Sequence, residues 1–199
     1  MTTYTIPTTV GFSSVQFGLE NNNQIFQSPL SNSIQVSELT GARWYATFNL
    51  PPMKKDNALE YIGFLQRLQG RVHSFYGYDA NHRSPSGTIA GSTLLVNGAS
   101  QTGTSLNLDG GANSTLVLKA GDFFSVNNEL KMVTSNATTN GSGEVTVNFV
   151  PSLRSSPSND ASITTINPVC TMKLTGDSTT YSINASSIYG ISFSGVEVF

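Results

Sequence analysis

Residues able to do acid–base, nucleophilic or metal chemistry are few in this 199-residue chain, and their spacing matches no catalytic motif. His73 and His82 are the two histidines, and no carboxylate at metal-ligand spacing accompanies either of them. We interpret His73 as a strand histidine and His82 as a loop histidine. Cys170 is the single cysteine and lies in an apolar run, which predicts a buried structural thiol rather than a nucleophile.

The acidic and glycine-rich segments do not indicate a catalytic or phosphate-binding site either. Asp109 and Asp122 stand alone, whereas a glycosidase needs two carboxyl groups facing each other across a groove. The segment Ala120–Asp122 is typical of a turn whose carboxylate accepts backbone N–H groups. The segment Gly98–Gly103 has no helix after it that could bind a phosphate, so it predicts a turn between strands. We therefore predict no catalytic, cofactor-binding or metal-binding residues, no cofactor, and a protein that is not an enzyme.

The low charge of the chain favours assembly. Charged residues make up 11% of the sequence, against about 25% in typical soluble proteins, and the formal net charge is −2. Few charges on a surface rich in Ser, Thr and Asn oppose side-by-side packing only weakly, which predicts a homo-oligomer. An ordinary secreted or viral β-protein with a neutral surface is the alternative interpretation.

The same composition argues against two classes of partner. Lys54 and Lys55 are the only adjacent basic residues, so the chain lacks the electrostatic footprint of a nucleic-acid-binding protein. No apolar run approaches the ~20 residues of a membrane span. The N-terminal residues have neither the basic nor the apolar region of a signal peptide, so none is expected. We expect no sequence-specific nucleic acid and no membrane among its partners.

Two elements are clearest in the first half of the chain. The segment Arg43–Leu50 alternates apolar and polar residues, which predicts a strand that ends at Pro51. Residues 56–69 have the apolar spacing of a helix, capped by Asp56 or Asn57 and followed by Gly70 in the left-handed conformation. The helix should lie against a sheet through its apolar residues: Ala58, Leu59, Tyr61, Ile62, Phe64, Leu65 and Leu68.

Residues 88–154 predict a small antiparallel β-module made almost without charge. Asn127-Asn128 is typical of a two-residue hairpin turn, and Asn140–Gly143 predicts another turn. The predicted strands of the module are Thr93–Asn97, Ser105–Leu108, Thr115–Leu118, Phe123–Val126, Glu129–Thr134 and Glu144–Phe149.

Loops on either side of this module, Asp79–Gly91 and Pro151–Asp160, suggest that it is inserted into a first domain. That domain comprises residues 1–87 together with 155–199 and carries helix 56–69. Residues 1–40 suggest an extended arm or short strands, with a turn at Glu20–Gln24 and a strand from Ile34. The fold class is mainly β, an antiparallel sandwich or barrel with one α-helix plus the inserted module. The strands predicted to complete the first domain are Ala161–Ile166, Val169–Leu174, Thr180–Asn184 and Ile191–Val198.

Two blocks of sequence, which together cover about half of the chain, resemble tail proteins of tailed bacteriophages. The first comprises a Trp strand, a helix and an aromatic strand, and it resembles the ring-forming domain of distal tail proteins. The other block is similar to a small β-module of phage virion proteins, including some tail and capsid proteins. The first block contains Arg43–Tyr45, Leu50–Met53, Phe64–Arg71 and Phe75–Asp79; the other contains Val96–Gly103, Leu118–Phe123, Val133–Thr134 and Phe149–Arg154.

This resemblance implies a non-enzymatic structural protein of the virion, made in the host cytoplasm. Distal tail proteins commonly form hexameric rings that join the tail tube to hub or fibre proteins, and DNA passes through the lumen of the ring. Alternatives within the virion are a tail tube protein, a head–tail connector component or a capsid decoration protein. A carbohydrate-binding β-module is the alternative from a different class.

Overall fold

In the part of the chain that the structure describes, short strands and one helix make this a mainly β protein, which confirms the predicted fold class. The computed structural model describes residues 1–89 and 93–199. Residues 90–92, which include the end of the predicted loop Asp79–Gly91 and part of the start of the predicted module, therefore lie outside the described residues. The strands are β1 (Thr3–Tyr4), β2 (Ser14–Glu20), β3 (Asn23–Gln27), β4 (Ile34–Glu38), β5 (Arg43–Asn49), β6 (Ser74–Gly77), β7 (Leu95–Val96), β8 (Ser105–Asp109), β9 (Leu116–Leu118), β10 (Phe123–Val126), β11 (Glu129–Val133), β12 (Ala137–Thr138), β13 (Val145–Val150), β14 (Cys170–Leu174), β15 (Tyr181–Ile183) and β16 (Tyr189–Glu197); the helix is α1 (Lys55–Leu68).

The larger sheet has seven strands in the order β1-β6-β14-β16-β5-β2, with β15 also paired to β16. Its pairs are antiparallel except β1–β6, and the sheet curls into a half-barrel. The predicted strand at Arg43–Leu50 is confirmed as β5. One of its faces is buried in the first core, as the alternation predicts, through Trp44, Ala46 and Phe48.

Helix α1 lies against this sheet, as expected. Phe64 packs edge-on against Phe75 and Phe193 at centroid distances of 6.1 and 6.0 Å. Leu59, which is expected on the apolar face, is 50% exposed because the buried stripe is narrower than predicted.

The ends of α1 differ from the sequence-based expectation. Lys54 is the N-cap residue and makes no side-chain cap, so the predicted cap at Asp56 or Asn57 is wrong. Since the helix begins one residue earlier than expected, Asp56 lies in the first turn, where its charge favours the helix dipole. At the other end Gln69 is left-handed (φ 49°), and the predicted left-handed Gly70 follows it with φ 65°.

We expect Gly63→Ala to raise the free energy of unfolding by about 0.5–1 kcal/mol, because Gly63 lies within α1 and alanine restricts the unfolded chain. An added Cβ at Gly63 meets no atom within 4 Å. Gly70→Ala is the control and should destabilise, since its Cβ would lie 2.9 Å from the Cα of Asp177 and φ is positive. Urea denaturation measures both changes, and a loss of stability in Gly63→Ala would contradict the helix assignment.

The smaller main sheet has five strands in the order β10-β11-β13-β8-β7, over a second buried core. Five of the six predicted strands of the module lie in this sheet, and the sixth is β9, which pairs with the unpredicted strand β12 in a separate two-stranded sheet. All six are confirmed to within one or two residues. Asn127 and Asn128 join β10 to β11 with φ of 50° and 63°, the conformation of the expected hairpin turn. The turns at Asn140–Gly143 and Gly98–Gly103 are also confirmed.

The prediction that residues 161–166 form a strand of the first domain is wrong. These residues make only isolated bridges, Ser162 with Leu95 of β7 and Thr164 with Ser125 of β10. Ile163 is buried in the second core, while Phe123 and Leu130 from the module strands are buried in the first. The two sheets therefore share residues at their junction, and the proposed division into two domains stays a prediction.

Candidate functional site

The residues considered for catalysis are dispersed over the fold and make local structural contacts. His73 directly precedes β6 rather than lying in it, and its Nδ1 is 3.3 Å from the backbone N of Thr2. His82 lies in a loop, as predicted, with its Nδ1 2.9 Å from a carboxylate oxygen of Asp79. Among the described residues, no group of three or more His, Cys, Asp or Glu side chains could hold a metal ion.

Cys170 is confirmed as a buried thiol. It is 1% exposed in β14, and its Sγ lies 3.6 Å from the carbonyl oxygen of Gly77. Burial raises the pKa of the Cys170 thiol well above its ordinary value, because the thiolate would lose its hydration. A group held in the thiol form in this way is a poor nucleophile.

Asp122 acts as a structural anchor. Its carboxylate accepts the N–H of Lys119 at 2.7 Å, which confirms the local turn that the sequence predicts. It also accepts the N–H groups of Ser86 and Gly87, at 2.8 and 3.3 Å, and these two long-range contacts were not predicted. Asp122 therefore fastens the chain that enters the module to the turn before β10. Asp109, the other isolated acid, lies at the end of β8 and is half-buried.

Asp122→Ala should lower the free energy of unfolding by about 2–3 kcal/mol, because three backbone N–H groups lose a charged acceptor at a site that is 2% exposed. Asp109→Ala is the matched control and should change stability by less than ~0.5 kcal/mol. Urea denaturation of both variants makes the comparison. Equal losses would show that Asp122 has no special anchoring role.

Buried charges connect the two sheets. We call Glu129, Lys131, Arg154 and Glu197 the junction cluster. Lys131 is fully buried and donates to Glu129 at 2.7 Å and to the Ser152 carbonyl at 2.8 Å. Arg154 donates through both terminal nitrogens to the carboxylate of Glu197, at 3.0 and 2.7 Å.

Glu129 is held in its ionised form. Burial by itself raises the pKa of this carboxyl, but the hydrogen bonds from Lys131, the Arg154 N–H and Ser155 outweigh burial, so that the pKa is lowered. A carboxyl with a lowered folded-state pKa stabilises the fold at pH values above its unfolded pKa, and this stabilisation is lost as the pH falls through the folded pKa. The junction cluster is thus internally paired and serves as a connection between sheets.

The most distinctive surface lies between β2 and β5. Among the residues that the structure describes, strands β3 and β4 pair only with each other, in a hairpin whose residues belong to neither buried core. We call residues 21–39 the exposed hairpin. The predicted strand from Ile34 is confirmed as β4, but the predicted turn at Glu20–Gln24 is shorter, because Asn23 and Gln24 already belong to β3.

The exposed hairpin is well defined by its own hydrogen bonds. At its base Arg43 pairs with Glu20 at 3.0 Å, and the side chain of Asn22 donates to the Thr40 carbonyl at 2.9 Å. At its tip the N–H of Ser28 donates to the Ser33 carbonyl at 2.9 Å. The hairpin therefore projects as an ordered element without contributing to either core.

One face of the exposed hairpin is apolar. Ile25 lies opposite Val36 in the register, and Ile34 shares their face because it is two residues from Val36. These three side chains are 65%, 60% and 61% exposed, and Leu30 at the tip is 98% exposed. An isolated two-stranded hairpin is at best marginally stable in water, and unprotected apolar edges tend to pair with other strands. These features make the hairpin the best candidate for an interaction surface.

No protein-family model matches this chain, and no curated protein matches it. The described part of the chain contains no helix with the length and hydrophobicity of a membrane span. The function proposed below therefore depends on the geometry of the chain and on the sequence resemblance already described. The exposure of the hairpin could not be predicted from the sequence: the alternation at Ile34–Val36 indicated a strand there, but not whether that strand lies in a core or on the surface.

Proposed function

We propose that this protein is a structural subunit of a tailed-phage virion that forms an oligomeric ring at the distal end of the tail. In that position it would join the tail tube to hub or fibre proteins, and DNA would pass through the ring. The observation that carries the proposal is the exposed hairpin, an ordered apolar element with no partner among the described residues of the chain.

Two further observations support a structural role. The buried charges of the junction cluster and of Asp122 are paired with one another or with backbone groups, in contacts that hold the two sheets together. In addition, the likeness of the strand–helix–strand unit and of the β-module to phage tail proteins points to the same class. The unit is present in the fold as β5, α1 and β6.

Immunogold electron microscopy of phage particles, with antibodies against this chain, tests the location. Label confined to the distal end of the tail is the expected result. Label on the tube, on the head–tail connector or on the capsid would instead support one of the other virion roles. Absence from purified particles, together with saturable binding on a glycan array, would favour the carbohydrate-binding alternative and contradict the proposal.

A further inference from the structure

We infer that the exposed hairpin docks on a second copy of this chain, with β4 adding alongside the unpaired edge of β15. This inference rests on the proposed function and names the surfaces through which its subunits would meet. Three properties of the chain support it: the apolar area of the hairpin, the open edge of β15, and the positions of the two on the sheet.

The size of the exposed hairpin fits a stable interface. Its large apolar residues are all at least 44% exposed. Together, over both faces and the tip of the hairpin, they present on the order of 700 Å², close to the ~800 Å² that each partner buries in a standard interface. These residues are Ile25, Phe26, Leu30, Ile34, Val36 and Leu39.

Strand β15 offers a matching surface. It pairs only with β16, so its other edge is free among the described residues. All three of its residues are exposed, and Tyr181 and Ile183, at 47% and 52%, lie on one face of the strand. Ile34 and Val36 of β4 have the same two-residue spacing. Side by side, the four side chains would form cross-strand pairs on one face of a continuous sheet.

The hairpin and β15 also lie in two segments that lack charged residues. The chain carries no charged residue from Asn21 to Ser37, and none from Ser178 to Val196, a segment that contains β15. Apart from Glu38 at its base, the exposed hairpin has no charged group that would recognise a phosphate backbone or a strongly charged protein. Contact between these two segments pairs backbone with backbone and apolar side chains with apolar side chains, and it leaves no charge unpaired.

The positions of the two surfaces make the contact heterologous. The exposed hairpin leaves the sheet between β2 and β5, whereas β15 lies on the opposite side of β16, next to β14 along the sheet. The surface that donates the hairpin therefore differs from the surface that receives it. A repeated contact of this kind closes into a ring when its rotation allows, and otherwise gives a filament.

Mixed disulfide cross-linking tests this contact. Ile34→Cys and Val36→Cys proteins are each mixed with Tyr181→Cys or Ile183→Cys protein and oxidised. Since a disulfide needs a Cα separation of about 4.4–6.8 Å, we expect at least one of the four mixtures to give a cross-linked dimer in high yield. The wild-type protein, oxidised alone, shows whether Cys170, which is 1% exposed, forms cross-links by itself. In the matched control, the β4 variants are mixed with Thr146→Cys protein, whose cysteine lies on the exposed face of β13, instead of with a β15 variant.

A double variant, Ile34→Thr with Val36→Thr, keeps β-branched side chains in β4 and removes the apolar contact. We expect self-association to weaken on the order of 100-fold. At concentrations where the wild type is monomeric, the melting temperature should be unchanged, because both residues are exposed. Gln35→Thr, on the other face of the hairpin, is the control and should assemble as wild type.

The outcomes separate the inference from the proposed function. A wild type that forms rings, with no cross-link in any mixture and normal assembly of the double variant, overturns the docking contact alone. Cross-links within the Val36→Cys protein by itself, or only to another virion protein, also overturn it. Cross-links between β4 and β15 in a protein that forms no ring would uphold the contact and contradict the ring. A wild type that stays monomeric at every concentration contradicts both.

Discussion

Replacing Arg154 with methionine is expected to lower the free energy of unfolding by about 3–5 kcal/mol. The guanidinium of Arg154 donates to both carboxylate oxygens of Glu197 and to the Ala42 carbonyl, at 2.9 Å. Methionine leaves the carboxylate of Glu197, which is 1% exposed, without its counter-ion. The N–H of Trp44 at 3.1 Å would remain as its hydrogen-bond donor. An unpaired buried charge is among the most destabilising defects that one substitution can create.

Arg43→Met is the matched control for this prediction. Arg43 also pairs with a glutamate, Glu20, at 3.0 Å, but the two side chains are 47% and 59% exposed. A pair so hydrated contributes about 0–1 kcal/mol. Urea denaturation followed by the fluorescence of Trp44, the single tryptophan, measures both variants, since its indole N–H donates across the junction to the Leu130 carbonyl at 2.8 Å. Equal effects of the two substitutions would contradict the assigned role of the junction cluster.

Phe48→Ala is the other substitution with a large expected effect, again about 3–5 kcal/mol. Phe48 is fully buried, and its ring lies 5.1 Å from the rings of Phe12 and Phe193. Alanine would leave a cavity at the centre of the first core, where the sheet on one side and the helix on the other limit collapse. Thermal and urea denaturation measure the loss.

Phe26→Ala provides the comparison, because the same chemical change falls on the exposed hairpin. Phe26 is 57% exposed and belongs to neither core, so we expect its loss to change monomer stability by less than ~0.5 kcal/mol. A large destabilisation by Phe26→Ala would indicate that the hairpin packs onto the body of its own subunit, which would remove the basis of the proposed interface.

Periodicity in the sequence was sufficient to predict most of the secondary structure. The alternation at β5, the helical spacing of α1 and the Asn127-Asn128 turn each reflect local rules that tertiary contacts reinforce. Strand β12 could not be predicted because it has two residues, too few to show an alternation of apolar and polar side chains. The helix start was misplaced by one residue, because Lys54 offers no capping side chain as a signal.

The parts of the candidate site that could not be predicted depend on long-range proximity. Glu129 and Glu197 are far apart in sequence, so nothing local indicated that Arg154 bonds to both, through its N–H and its guanidinium respectively. The exposed hairpin posed a different problem, since a strand in an interface and a strand in a core share one apolar pattern. Only the exposed fractions of Ile25 and Val36 in the folded chain distinguish the two.

Negative-stain electron microscopy of the purified protein, combined with native mass spectrometry, tests the central claim most directly. We predict closed rings with rotational symmetry and a single subunit number, which dissociate in the Ile34→Thr, Val36→Thr double variant. A protein that remains monomeric at every concentration, or that forms only open filaments, would contradict the proposal that it is a ring-forming subunit of the tail.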